Sequence, residues 1–128
     1  MVGSARSLLD DITDKPGEIF ELSVISDCLG GNMEMVHKLL KVFLEKTPAI
    51  IDEMHQHCTT GNIKNVASCC HKLKSSARSV GATRLADLCV ALETAIKEGR
   101  LEDIKEVEPY IDSVFFKTQT AIVNLVSR

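Results

Sequence analysis

The chain has 128 residues, the size of one domain built on one hydrophobic core. Hydrophobic residues make up 45% and charged residues 26%, enough apolar material to bury and enough charge to stay dissolved, so a disordered chain is excluded. Fifteen Lys and Arg against 18 Asp and Glu give a formal charge of -3, which lacks the broad basic balance of a nucleic-acid binder and confines any basic patch to a local one.

Seven Gly, three Pro and 4% aromatics leave few turn signals and few strand formers, so helices dominate the expected fold. From about Glu18 to Leu29, Ile19, Leu22, Ile25 and Leu29 recur at helical spacing, and Gly30-Gly31 ends this short first helix. Asn32 is placed to cap a second. Its stripe runs through Met33, Val36, Leu40, Phe43, Leu44, Thr47, Ile51, Met54 and Cys58 without changing phase at Pro48, which predicts one long bent helix or two nearly collinear ones, ending before Gly61. Asn62 caps a third, with Ile63, Val66, Ala67, Cys70, Leu73, Ala77 and Val80 inward and Gly81 near its left-handed C-terminal position. A fourth helix starts at or just before Thr83, carries Leu85, Leu88, Cys89, Leu92 and Ile96 inward, and closes at Gly99. The last runs from about Glu102, with Ile104, Val107, Ile111, Val114, Thr118, Ile122 and Leu125 inward and Pro109 bending its first third. Connections of a few residues make successive helices antiparallel neighbours. The expectation is all-α: an up-down antiparallel four-helix bundle with a short additional N-terminal helix, one domain over 1–128, in which 1–16 form a loosely ordered N-terminal extension.

The five cysteines, Cys28, Cys58, Cys69, Cys70 and Cys89, are odd in number, contain no C-x-x-C pair and include two neighbours, which is no disulfide framework. No apolar run approaches the roughly 18 residues of a membrane span, and the N-terminus lacks a signal-peptide pattern. A reducing, cytoplasmic setting without membrane insertion is the resulting expectation.

The chemistry-bearing stretch is His71-Lys72-Leu73-Lys74-Ser75-Ser76-Ala77-Arg78-Ser79-Val80-Gly81-Ala82. On a helix, His71, Lys74, Ser75 and Arg78 share a face beside the buried stripe, with Lys64 two turns earlier. An imidazole there offers a nucleophilic nitrogen to solvent, Lys74 attracts an anion one turn away, and Ser75 leaves room for a close partner. That arrangement suits a phosphoryl group, although by spacing alone an exposed histidine among lysines also fits a plain solvated face.

His-x-Leu-Lys, small residues, then Gly81-Ala82, continued by Thr83-Arg84-Leu85 and Leu88-Cys89 and preceded by the Leu39-Leu40 and Phe43-Leu44 run, resembles the histidine-containing phosphotransfer (HPt) domains of multistep phosphorelays. The resemblance implies that His71 accepts a phosphoryl group from one receiver-domain aspartate and passes it to another, and that Lys74 stabilises the phosphoryl oxygens. Where the family usually has glycine this chain has Ser75. The family also places on the next helix a polar residue that hydrogen-bonds the imidazole; counting along the motif puts Glu93 there, with Lys97 one turn later. Partners implied are response-regulator receiver domains, with a hybrid sensor kinase upstream. A docking face would combine Ile19 and Leu22 of the first helix and facing turns of the second with a rim of Lys64, Ser75, Arg78 and Lys97, on a monomer that binds no nucleic acid.

The phosphotransfer chemistry is mostly positioning and charge neutralisation. No acidic cluster lies near His71 in the sequence, so the chain is expected to hold no cofactor of its own and to use Mg²⁺ supplied by the receiver. No nucleotide-binding loop is present for autophosphorylation, and Lys72, not an acidic residue, follows the histidine. Two other readings stand beside this one. A degenerate bundle could dock partners without transfer. A metal site could form from His55, His57 and Cys58 with Cys69, Cys70 and His71, but Cys58 and Cys70 fall in apolar stripes and read as small buried hydrophobes, so no metal ligand is assigned.

Overall fold

The structure is a computed structural model and describes residues 19–127. Six helices are present among them, α1 (Leu22–Cys28), α2 (Met33–Thr59), α3 (Ile63–Val80), α4 (Thr83–Lys97), α5 (Leu101–Val107) and α6 (Tyr110–Val126), and no strand. Connections of two or three residues, 60–62, 81–82 and 98–100, turn α2 to α3, α3 to α4 and α4 to α5. Chains this short between helices force neighbours to pack side by side. Helix α2 packs on α3, α3 on α4, α4 on α5 and α6, and α6 returns to α2. The four long helices thus close a ring, and α1 lies chiefly against α3. This is the up-down bundle with an added N-terminal helix; the expected extension at 1–16 lies outside the described residues.

The core is the set of stripes read from the sequence. Leu40 and Met54 of α2, Leu73 of α3, Leu85, Leu88 and Leu92 of α4, Ile104 of α5 and Ile111 and Ile122 of α6 are fully buried. Each contributes about 1.5–3 kcal/mol by leaving water. Thr47 and Thr118, polar members of two stripes, are buried as well. Their hydroxyls donate to the carbonyls four residues back, Phe43 at 2.6 Å and Val114 at 2.8 Å, so neither is buried unpaired. Met33, placed inward by periodicity, is instead exposed at the first turn of α2, and Cys69 and Phe115 join the core unannounced.

Of the expectations about helix ends and prolines, the single long helix through Pro48 and the Asn32 cap hold, and those for the first helix, Pro109 and Asn62 change. The first helix is shorter than 18–29, because Glu21 N–H donates to the Gly81 carbonyl at 2.8 Å and holds Glu21 extended, so helix begins only at Leu22. Pro48 neither divides nor ends α2, which runs unbroken for 27 residues with Pro48 on its exposed side. There the ring projects into solvent, and the lost N–H leaves one carbonyl without its donor. At Pro109, by contrast, the one expected helix becomes two: α5 stops at Val107 and α6 starts at Tyr110, although Glu108 and Pro109 keep helical dihedrals and the Ile111 N–H still donates to the Glu108 carbonyl at 3.1 Å. The difference follows from length, since seven residues of α5 provide too few bonds to span the gap cooperatively. Finally, Asn32 caps α2 by accepting the Met35 N–H at 3.2 Å, whereas Asn62 stands at the N-cap of α3 without a side-chain bond.

Candidate functional site

Helix α3 divides sharply by face. Cys70, Leu73, Ala77 and Val80 are buried, while His71, Lys72, Ser75, Arg78 and Ser79 are exposed and Lys64 is exposed two turns before His71. Amphipathic burial of one side leaves His71 no choice but solvent. Its ring makes no hydrogen bond or ion pair with any described residue. Beside it the surface is low, since Ser75 and Ser79 are small and the Ser79 hydroxyl folds back to donate to the Ser75 carbonyl at 2.8 Å.

Lys74, one turn from His71, is pulled toward the next helix. Its Nζ stands 2.8 Å from Glu93 Oε1 on α4, with side chains 18% and 31% exposed. That carboxylate oxygen is itself out of solvent. Glu93, expected beside the His71 imidazole, thus meets the Lys74 ammonium between the helices and makes no bond to His71 in this structure. The pair lines a groove of about 390 Å³ between α3 and α4 with Ala67, Val90, Thr94 and Lys97. Lys97 is exposed one turn beyond Glu93 and makes no ion pair among the described residues.

At the C-terminal end of α3, Gly81 adopts φ +84°, and a Cβ there would lie 2.2 Å from the Glu21 carbonyl oxygen. Both the left-handed turn and the contact with the chain entering α1 need glycine. The turn thereby seats α1 beside α3. Leu22 is half-buried against the core and Ile19 half-exposed before the helix. The facing turns of the second helix, expected in the docking face without named residues, hold an apolar feature: Leu39 and Val42 of α2, 41% and 39% exposed, line a groove of about 230 Å³ with Lys46, Ile50, Ser76 and Ser79. Their signal was present, as each is one residue before a core position, Leu40 and Phe43, and so flanks the buried stripe.

Of the residues considered for metal binding, His55 and Cys70 are taken up by other contacts. His55 is held by Glu108 through Nδ1 and by Asp112 Oδ2 at 2.7 Å from Nε2, which joins α2 to the α5–α6 junction. The Cys70 thiol donates to the Cys89 carbonyl at 3.1 Å. What does come together is Glu53, His57 and Cys69, whose donor atoms lie within 4.8 Å of one another. Burial and the Glu53 charge push the Cys69 thiol above its ordinary pKa, with Lys72 pulling the other way. A protonated thiol, a glutamate in open solvent and one histidine do not make the closed four-ligand set of a structural zinc site. Burial likewise raises the Glu108 carboxyl, and His55 only partly offsets it.

The arrangement can present one solvent-facing nucleophilic nitrogen, beside a lysine on a small-residue surface next to an apolar groove. Against protein families, the model described as Hpt domain matches residues 38–123, a span that holds His71, Lys74, Gly81, Glu93 and Lys97. No curated protein and no solved structure matches the chain.

Proposed function

We propose, from the premise that this chain belongs to the Hpt domain family and is thus a phosphotransfer module of phosphorelays, that His71 is its phosphoacceptor. The supporting observation is the exposed His71 imidazole one turn from Lys74, with Ser75 leaving the approach open. In the transfer, the unprotonated ring nitrogen supplies its electron pair to phosphorus. A P–N bond forms as the P–O bond to a receiver aspartate breaks, the carboxylate leaves with its electron pair, and the proton on the other ring nitrogen stays or exchanges with solvent. Charge neutralisation carries most of the barrier lowering. Lys74 supplies one cation here, and the receiver's own pocket supplies the acidic ligands and Mg²⁺, because the carboxylate beside Lys74 is occupied by that lysine.

The partners are receiver domains, with a hybrid sensor kinase upstream. They dock on the groove that Leu39 and Val42 line with Ser76 and Ser79, and the proposed docking face also takes in Ile19, Leu22, Lys64, Ser75, Arg78 and Lys97. The chain acts as a monomeric cytoplasmic carrier and does not label itself from ATP; no helix among the described residues is long and apolar enough to cross a membrane. The test is transfer from receiver domains charged with acetyl phosphate. Wild type should acquire acid-labile phosphate, and His71→Gln should fold normally and acquire none. Labelling of His71→Gln, or of wild type by Mg²⁺-ATP alone, overturns the assignment. A wild type that binds receivers yet takes no phosphoryl group is a docking module instead.

A further inference from the structure

Lys74 has two claimants. In the unphosphorylated protein its ammonium rests 2.8 Å from Glu93 Oε1, an oxygen withdrawn from water whose close partner among the described residues is that ammonium. After transfer a phosphoryl dianion stands on His71, three residues before Lys74 on the same face. If Lys74 turns to the phosphoryl oxygens, the buried Glu93 oxygen loses its partner, which is costly. An ammonium has three hydrogens and can instead touch both groups. It then draws a carboxylate and a phosphoryl group together as like charges, so the carboxylate opposes the phosphorylated state by either route. Lys97 bears on the outcome. It lines the same groove, sits at i+4 from Glu93 on α4, and has no ion-pair partner among the described residues.

We infer that Glu93 is a positioning residue that competes with the phosphoryl group for the Lys74 ammonium, keeping phosphohistidine 71 ready to be passed on, and that Lys97 relieves Glu93 when Lys74 turns away. The inference rests on the phosphotransfer reading and deepens it: the α3–α4 groove sets how tightly the phosphoryl group is held. A carrier that held it too well would stall between two aspartates.

The test reads an equilibrium. The full chain is mixed with an acetyl-phosphate-charged receiver domain at concentrations where little complex forms, and the ratio of phosphohistidine to aspartyl phosphate is measured by gel shift. That ratio depends only on the free species, so altered docking does not move it. Glu93→Gln, which keeps the shape and removes the charge, should shift it toward phosphohistidine by about three- to tenfold, the size of a partly buried ion pair. Glu93→Asp should return it toward wild type. Lys97→Ala should shift it the other way, and should have no effect in a Glu93→Gln background. In a Lys74→Ala background the effect of Glu93→Gln should shrink below about twofold, as a contact that runs through Lys74 requires. An unchanged ratio in Glu93→Gln, or an equal effect with and without Lys74, overturns the competition while leaving the carrier function intact. If wild type takes no phosphoryl group, function and inference fall together.

Discussion

At single positions, the structure separates residues that act through charge from those that act through space. Lys74→Ala should leave folding intact and lower the phosphohistidine yield or the transfer rate several-fold, since a cation 18% exposed is partly screened. Stopped-flow transfer with a receiver would check it, and unchanged kinetics would remove Lys74 from the site. Gly81→Ala acts otherwise. It places a Cβ into the Glu21 carbonyl and forces an L-residue to φ +84°, so the cost should be about 2–4 kcal/mol by urea denaturation, with α1 loosened first. Glu108 gives a pH-dependent case. Burial raises its folded pKa above the unfolded carboxylate value, so between these two the folded chain binds more protons and stability falls as pH rises. Stability measured for wild type minus that for Glu108→Gln should therefore decline as pH rises above the unfolded glutamate value of about 4.3. A flat or rising difference would mean that the His55 contact outweighs burial.

The helices show how context decides what a proline does. Pro48 lies inside a 27-residue helix whose flanking turns are anchored by Val36, Leu40, Ile51 and Met54, and the packing of both halves on one core overrides the local break. Replacing it by Ala restores a backbone donor, offset by a more flexible unfolded chain, and should stabilise the protein by about 1–2 kcal/mol. Pro109→Ala should change stability by less than about 1 kcal/mol, because at the start of α6 its missing N–H is one of those that no helix satisfies. Thermal denaturation of both variants tests the contrast; equal effects would mean that helix position is not what separates them.

For the molecule as a whole, helix α3 carries the exposed His71, Lys64 and Arg78 and, through Ser76 and Ser79, one wall of the apolar groove. An apolar centre governs how long a transient complex lasts, and rim charge governs how fast it forms. Arg78→Glu should therefore slow receiver association, more at low salt than at high salt, and leave thermal stability nearly unchanged, as Arg78 is exposed on α3. Val42→Ala should instead speed dissociation with little salt dependence. Chemical shifts perturbed by a receiver on α5 and α6, away from the groove, would refute this docking face.

What was legible in the sequence was whatever depends on neighbours along the chain. Hydrophobic periods located the long helices and nearly all of their core, and they placed His71 on the exposed face of its helix, because a buried stripe at 3.6-residue spacing dictates which face meets water. Left to tertiary structure were contacts between residues far apart in sequence. Glu93 sits at the position counted for an imidazole partner, yet the crossing of α3 and α4 delivers it to Lys74. Gly81 is required not by its own turn alone but by Glu21, sixty residues earlier in the chain. His55 is claimed by Glu108 and Asp112, and Leu39 and Val42 become a groove only when α1, α2 and α3 meet. Periodicity gives the direction in which a side chain leaves its helix, whereas its partner depends on the angle and register at which two helices pack, and those are set by the fit of the whole core.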